Sequence, residues 1–229
     1  MLMQTTSSAS ARAAMGWSHG SRPVPGTTAG GGLDFIGVPM PFRRNVEIYG
    51  EGEPADYVYK VASGAARAYK VLNDGRRQIG AFYLPGELFG LEAGEEHHCS
   101  AEAVSDSTIL VIRRSALVAL ARRDGDVARQ LWTLTAGELQ RVQEHMLLLI
   151  RSAQERVACF LLEMAERLAT SDTIDLPMPR QDIADYLGLT IETVSRTLTQ
   201  FVRSGLIRLL PAGRSISLCN RMALKSLNA

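Results

Sequence analysis

Short runs in which apolar and polar residues alternate fill the stretch from residue 46 to residue 112. Turn signals separate these runs, among them Gly50-Glu51-Gly52, Asn73-Asp74-Gly75 and Pro85-Gly86. Alternation is typical of strands with one buried face, and strands spaced roughly 8–12 residues apart predict a small β-sandwich or jelly roll. The predicted strands are 46–49, 57–61, 65–71, 78–83 and 107–112.

A helical period replaces the alternation after residue 123. Asp124-Gly125-Asp126 indicates a helix start, and the pattern predicts one helix over 124–151, about 40 Å long. One side carries a heptad seam formed by Leu139, Val142, Met146 and Leu149. A second side carries Leu131, Leu134 and Leu148. We therefore expect one side to pack on the β domain and the other on a second copy of the chain; an ordinary core helix of a monomer is the alternative.

The C-terminal part shows the signals of several short elements in a fixed order. Ser152-Ala153-Gln154-Glu155 has the pattern of a capping box and predicts a new helix just after the long one. A further helix is indicated after Pro179, and Gly188 follows it where a tight turn requires positive φ. Thr190 is placed to cap the next helix, and residues 207–218 are typical of two strands joined by a turn. This order predicts a helix-turn-helix with a wing, which is a DNA-binding fold.

These patterns divide the chain into four parts of an α+β protein. Residues 1–34 are rich in Ser, Ala, Thr and Gly, which predicts a flexible tail. Residues 35–122 are predicted to form an N-terminal β jelly-roll domain, and residues 124–151 a long dimerisation helix. Residues 152–229 are predicted to form a C-terminal winged helix-turn-helix domain.

Charge and cysteine content add to this picture mainly at the C-terminal end. The 229 residues carry a net charge of only +1, so any affinity for nucleic acid must come from a local surface. Residues 180–229 hold seven basic and three acidic residues, a local charge of about +4. Cys99, Cys159 and Cys219 form no disulfide or metal-knuckle pattern, and the chain shows neither a membrane-length apolar run nor a signal peptide. These features predict a cytoplasmic protein with no membrane partner.

The helix predicted after Thr190 presents polar side chains on its outward face. Its buried positions are expected to be Val194, Leu198, Phe201 and Val202. This leaves Glu192, Thr193, Ser195 and Arg196 on the outside. Arginine can donate two hydrogen bonds to guanine and glutamate can accept one from cytosine, so Glu192 and Arg196 fit base reading. A surface ion pair between these two residues, four positions apart, is the alternative.

The stretch 180–196, which ends in Glu192-Thr193-Val194-Ser195-Arg196, resembles the recognition motif of the CRP/FNR superfamily of bacterial transcription regulators. Pro85-Gly86-Glu87-Leu88-Phe89-Gly90 is similar to the effector-domain turn of that family, and the resemblance covers nearly all of the chain beyond the tail. It implies a jelly roll of the cyclic-nucleotide-binding type, a homodimer on a palindromic double-stranded DNA operator, and RNA polymerase as a partner. It also implies that bases are read by Glu192, Ser195 and Arg196. The residues that would approach phosphates are Arg180, Gln181, Thr190 and Thr193.

At three places the sequence differs from the cyclic-AMP or oxygen-sensing branches of the family, and these differences favour a resemblance to the FixK-like branch. The cyclic-AMP branch has an Arg-Ser pair after the effector turn, whereas residues 95–102 read EEHHCSAE here. Oxygen-sensing members hold an iron-sulfur cluster with N-terminal cysteines, and residues 1–34 contain none. Ile191 stands where the cyclic-AMP branch has an additional base-reading Arg. The FixK-like branch implies a TTG-type half-site and a regulator, expected to be an activator, of low-oxygen, nitrogen-fixation or respiration genes, with no bound effector or cofactor.

Five potential metal ligands stand in a row at residues 95–99, Glu-Glu-His-His-Cys. Adjacent strand residues point to opposite faces, so a solvent-exposed loop is favoured over a metal or haem site, and no metal is expected. The alternative function is a ligand- or metal-sensing regulator gated through the N-terminal domain. No catalytic motif is present, so no enzymatic activity is expected.

Overall fold

The computed structural model describes residues 37–168, 172–211 and 215–227. The first part is a β domain made of two four-stranded antiparallel sheets, with strand orders β1-β8-β3-β6 and β2-β7-β4-β5. The strands are β1 Val38–Phe42, β2 Glu47–Tyr49, β3 Tyr57–Ser63, β4 Ala66–Val71, β5 Arg77–Tyr83, β6 Leu88–Phe89, β7 Ser100–Ala103 and β8 Ser107–Arg113. The jelly-roll prediction is confirmed, while the predicted tail lies outside the described residues.

Three strands were not predicted, and each has a weak sequence signal. β1 contains two prolines, which are tolerated because β1 is an edge strand. β6 has only two residues. β7 turns Ala101 and Ala103 inward, and alanines are too small to make an obvious apolar stripe. The predicted exposed loop at 95–99 is also wrong in one respect, because His97 is buried.

Three helices follow the β domain: α1 Arg114–Arg123, α2 Gly125–Leu148 and α3 Ala153–Arg167. α1 was not predicted. The Asp124 side chain caps α2 by accepting hydrogen bonds from the backbone of Asp126 and Val127. α2 ends three residues before the predicted limit, because the chain turns there into α3. Ser152 and Glu155 form the predicted capping box of α3.

The apolar side of α2 that was predicted to meet the β domain does so in part. Leu131 packs beside the cluster of Val58, Leu117 and Val127, and Leu148 is buried. Leu134 remains exposed on this chain. α2 also contacts the β domain beyond its middle, where Glu138 accepts a hydrogen bond from the Tyr83 hydroxyl and Arg141 pairs with Glu87.

The C-terminal part is a helical unit closed by a small sheet. Its elements are β9 Thr173–Asp175, α4 Arg180–Leu187, α5 Ile191–Arg203, β10 Ile207–Leu209, β11 Ser215–Leu218 and α6 Arg221–Ser226. β10, β11 and β9 pair in that order as an antiparallel sheet, in which β10 and β11 are the predicted wing. The short elements β9 and α6 were not predicted.

The buried face of α5 differs from prediction at one position. Val194, Leu198 and Phe201 are buried as expected, but Val202 is exposed and Thr197 is buried instead. Positions 194, 197, 198 and 201 follow the three-four spacing of one helical stripe, and position 202 lies at the edge of that stripe.

One apolar core joins the β domain to the C-terminal domain. Ile79, Phe82 and Leu84, in and just after β5, belong to the same cluster as the buried residues of α3, α4 and α5. The Phe82 ring lies 5.2 Å from the ring of Tyr186 in α4. The C-terminal domain therefore docks directly on the β4–β5 hairpin. In the described part of the chain, no helix has the length and apolar character needed to cross a membrane.

Candidate DNA-binding interface

The turn between α4 and α5 is built from one glycine and one long arginine. Gly188 ends α4 with a φ angle of +62°, a backbone conformation that residues with a Cβ rarely adopt. Arg156, from α3, donates hydrogen bonds to the carbonyl oxygens of Leu187 at 2.9 Å and Gly188 at 3.4 Å. These bonds satisfy carbonyls that a helix end leaves open, so they hold the turn in one geometry.

The start of α5 is capped as the sequence predicted. The Thr190 hydroxyl accepts a hydrogen bond from the backbone nitrogen of Thr193 at 3.2 Å, and the two threonine hydroxyl oxygens lie 3.1 Å apart. Other backbone N–H groups of the first turn remain available at this end, which also carries the positive pole of the helix dipole. The start of α5 therefore favours a phosphate nearby.

The predicted base-reading residues share the outer face of α5 near this start. Glu192 and Arg196 are exposed, and Ser195 is half-buried between them. Among the described residues, no ion pair joins Glu192 to Arg196, so the alternative of a surface pair finds no support.

The predicted phosphate-contacting residues flank that face. The Arg180 guanidinium, at the start of α4, lies 3.5 Å from the Ser195 hydroxyl. Gln181 is exposed and donates a 2.7 Å hydrogen bond to Asp185. Thr190 and Thr193 sit at the start of α5. Arg180, Thr190 and Thr193 therefore lie close to the predicted base-reading residues, whereas Gln181 is bonded to Asp185 of α4.

The same face extends farther along α5 than predicted. A groove there is lined by Ser195, Arg196, Thr199, Gln200 and Arg203. Thr199, Gln200 and Arg203 follow Arg196 at three, four and seven residues, which is the spacing of one helix face. That spacing could have identified them in the sequence. Gln200 is held by a 3.0 Å hydrogen bond from Gln154 in α3.

The β domain gathers its large aromatic side chains into one buried cluster. Tyr49, Tyr59, Tyr83, Phe89 and His97 pack together there; the Tyr49 and His97 rings stack with centroids 3.7 Å apart. A Cβ on Gly90 would come within 2.9 Å of the Tyr59 ring. Within the described ranges, no group of three His, Cys, Asp or Glu residues is arranged to hold a metal.

Burial sets the ionisation of this aromatic cluster. It lowers the pKa of His97, against the opposing effect of Glu92, and so keeps the imidazole neutral at pH 7. Burial also raises the pKa of the Cys99 thiol, so that thiol is not an activated thiolate. The cluster therefore behaves as an uncharged part of the core.

Comparison with known proteins matches both domains. Residues 39–124 match the family model described as a cyclic nucleotide-binding domain, and residues 155–227 match that of a Crp-like helix-turn-helix domain. The nitrogen fixation regulation protein FixK of Azorhizobium caulinodans is 50% identical over 200 residues, which is 85% of this chain and 80% of that protein. The chain belongs to the FixK-like branch of the CRP/FNR family. It is a transcription regulator with a DNA-binding helix-turn-helix domain.

Two further relatives support this membership. FixK of Rhizobium meliloti is 44% identical over 187 residues, covering 81% of this chain and 85% of that protein. The solved structure of FixK2 from Bradyrhizobium japonicum is similar with a TM-score of 0.80 and 52% identity, covering 85% of this chain and 98% of that one. The two-domain arrangement is therefore shared with a solved FixK structure.

The predicted dimer seam of this FixK-like chain lies on an uncovered side of α2. Leu139 is 58% exposed, Val142 52% and Met146 63%. Leu149 differs, because it is half-buried and its Cδ2 lies 3.6 Å from the position that a Cβ on Gly188 would occupy. Leu149 therefore also packs beside the turn of the helix-turn-helix within its own chain.

Proposed function

We propose that this protein binds a palindromic DNA operator as a homodimer and regulates transcription without a bound effector. The observation that carries the proposal is the outer face of α5, where Glu192, Ser195 and Arg196 project from a capped helix start that faces solvent. In a helix-turn-helix, this end of the second helix enters the major groove. The genes controlled are expected to be those of nitrogen fixation or low-oxygen respiration, because the named relatives are FixK regulators.

Each residue of the face has a distinct role in this proposal. Arg196 donates two hydrogen bonds to a guanine, Glu192 accepts one from a cytosine amine, and Ser195 completes the base contacts in a TTG-type half-site. The remaining residues contact phosphates and fix the register of the helix; they are Arg180, Gln181, Thr190 and Thr193.

The homodimer follows from the apolar side of α2. Three large apolar residues at heptad spacing are exposed there on a helix of 24 residues, about 36 Å long. Burying them against the same residues of a second copy would remove their apolar surface from water and place two reading helices on one operator. We further propose a cytoplasmic protein that activates transcription through RNA polymerase and has no enzymatic activity.

Independence from an effector is supported by the aromatic cluster of the β domain. Its side chains pack on one another, and residues 95–99 contain no arginine that could hold a cyclic phosphate. A ligand- or metal-gated regulator is therefore the less favoured alternative.

The test is a selection of bound sequences from random double-stranded DNA with the purified, effector-free protein. We expect a palindrome with TTG-type half-sites about one helical turn apart, bound with nanomolar affinity. A selection that returns no palindrome, or that succeeds only after cyclic AMP is added, would contradict the proposal.

A further inference from the structure

Two acidic residues of the helix-turn-helix motif are turned away from the DNA-binding face. Asp182 and Asp185 lie on the side of α4 that meets the β4–β5 hairpin, and Asp182 is only 2% exposed. A carboxylate is costly to bury without partners, so its neighbours must supply hydrogen bonds and opposite charge. Both are supplied by arginines of the β domain.

The first arginine is Arg67 in β4, which is 4% exposed. Its guanidinium forms a buried ion pair with Asp182 and a second one, at 2.9 Å, with Glu102 of β7. Arg67 is thus fixed on the sheet by Glu102 and reaches from there to α4.

The second arginine is Arg77 in β5, which binds both acidic residues of α4. One of its terminal nitrogens lies 2.5 Å from Asp182 and 2.8 Å from Asp185, and its Nε donates to Asp185 at 2.9 Å. The guanidinium also lies over the Tyr69 ring, 5.7 Å from its centroid. Beside it, Gln78 donates to the carbonyl oxygen of Tyr186 at 3.3 Å.

These contacts hold α4 at several points along one side. Guanidinium–carboxylate pairs have a directional geometry, so they restrict rotation as well as separation. α4 is joined to α5 by a short turn that Arg156 holds, so the orientation of α4 is passed to α5. Asp185 also accepts a hydrogen bond from Gln181, one of the predicted phosphate-contacting residues. Replacing a buried ion-pair network by apolar packing is often neutral for stability, so net stability alone does not account for this one.

We propose that Arg67 and Arg77 are positioning residues for DNA binding, which set the direction of α5 through Asp182 and Asp185. In a homodimer this direction determines the separation of the two reading helices, and hence the operator spacing that the protein prefers. This inference rests on the proposed function, since it requires a dimer on a palindrome.

The test compares variants on operators that differ only in half-site spacing. The panel holds the selected palindrome, versions with one base pair inserted or removed, and one intact half-site beside a scrambled one. The central variant is Arg77→Gln, because Arg77 is half-buried and its neutralisation leaves Arg67 with Asp182. Arg76→Gln is the matched control: Arg76 is the preceding residue, and it is exposed and pairs with Asp74 inside the hairpin rather than with α4.

Arg77→Gln is expected to bind the palindrome of preferred spacing about tenfold more weakly and to lose most of its preference among spacings. Its affinity for the single half-site should not change, because the reading residues are intact. Arg77→Lys keeps the charge but not the two-pronged geometry, so it should recover part of the spacing preference. Asp185→Asn should reproduce the defect, and the double variant should be no worse than either single variant. Arg76→Gln should behave like the unchanged protein.

Thermal unfolding and dimer mass, measured on every variant, separate positioning from folding. Equal weakening on all operators, the half-site included, would mean that Arg77 supports the fold only and would overturn the inference, as would an unchanged spacing preference. If the Arg77→Gln variant does not fold, Asp185→Asn tests the same ion pair by changing its other member. A failure of the proposed function would give a different result, because the unchanged protein would then show no preference for a palindrome over other sequences.

Discussion

The aromatic interior of the β domain and the outer face of α5 both contain polar side chains, but these are buried in the first region and exposed in the second. In the β domain, the rings of Tyr49 and His97 are stacked and buried, and burial keeps them uncharged. On α5, Glu192 and Arg196 are exposed on a helix whose start is capped. A surface ready to bind needs accessible hydrogen-bonding groups on a rigid support. The α5 face exposes such groups, whereas the one unpaired ring nitrogen of the aromatic cluster among the described residues, His97 Nε2, is buried. The difference indicates where this protein interacts with its surroundings.

The largest expected effect concerns the stability of the closed region. Phe89 is fully buried against Tyr59, at 5.3 Å between ring centroids, and Tyr83, at 4.8 Å. Phe89→Ala should lower the free energy of unfolding by about 3–5 kcal/mol, because it removes a buried ring and leaves a cavity. Denaturant unfolding measures this loss, and Arg196→Ala, at an exposed site, serves as the control with little change. A loss below about 1 kcal/mol would show that the region is loosely packed, which would weaken the comparison.

A charge in the proposed dimer seam should have the next largest effect. Met146→Asp would place an unpaired carboxylate in an apolar interface at a cost of about 3 kcal/mol, enough to leave a monomer at micromolar concentration. Light scattering measures the mass, and palindrome binding should weaken with it. Gln140→Asp adds the same charge on the opposite side of α2 and should leave the dimer intact. A dimeric Met146→Asp protein would mean that the seam lies elsewhere.

Changes on the open face should affect sequence preference without affecting stability. Arg196→Ala is expected to lose about 1–3 kcal/mol of binding free energy per half-site and to tolerate substitution of the guanine that it reads. Glu192→Ala should relax a different base pair, because the carboxylate selects for the cytosine amine. The measurement is binding to a panel of operators with single-base changes.

Arg180→Ala is the contrasting variant on the same panel. It should weaken all operators alike and reduce the salt dependence of binding by about one unit for each phosphate that is no longer neutralised. Uniform weakening for Arg196→Ala would contradict its role as a base reader.

The smallest expected effect is a pH dependence of the free energy of unfolding, which arises where α2 contacts α4. His145 of α2 stacks on Tyr186 at 4.1 Å, its Nδ1 is buried without a partner among the described residues, and burial lowers its pKa below the ordinary value of 6.5. The unfolded chain therefore takes up a proton at higher pH than the folded one, so stability present above pH 6.5 should fall as the pH decreases below it. His97 acts in the same direction. His145→Phe should reduce the slope of unfolding midpoint against pH, and an unchanged slope would assign the whole effect to other groups.

Local patterns in the sequence were enough for much of the fold and for the candidate site. The capping residues Ser152 and Thr190, the turn residue Gly188 and the polar start of α5 were predicted correctly, because each depends on neighbours within a few positions. The alternation in β3, β4, β5 and β8 identified the jelly roll. Short or alanine-rich strands such as β6 and β7 gave too few apolar positions to be recognised.

The sequence by itself thus indicated the kinds of element and the membership of the CRP/FNR family, and it supplied the candidate residues of the reading face. Only the tertiary structure decided that His97 is buried, that aromatic rings fill the β domain, and that Asp182 meets Arg67 instead of DNA. The physical reason is separation along the chain: Arg67 and Asp182 are 115 residues apart, and no local periodicity relates them. Which charges become partners depends on how two domains dock, and that depends on the shape of the core formed by Ile79, Phe82 and the helices packed on them.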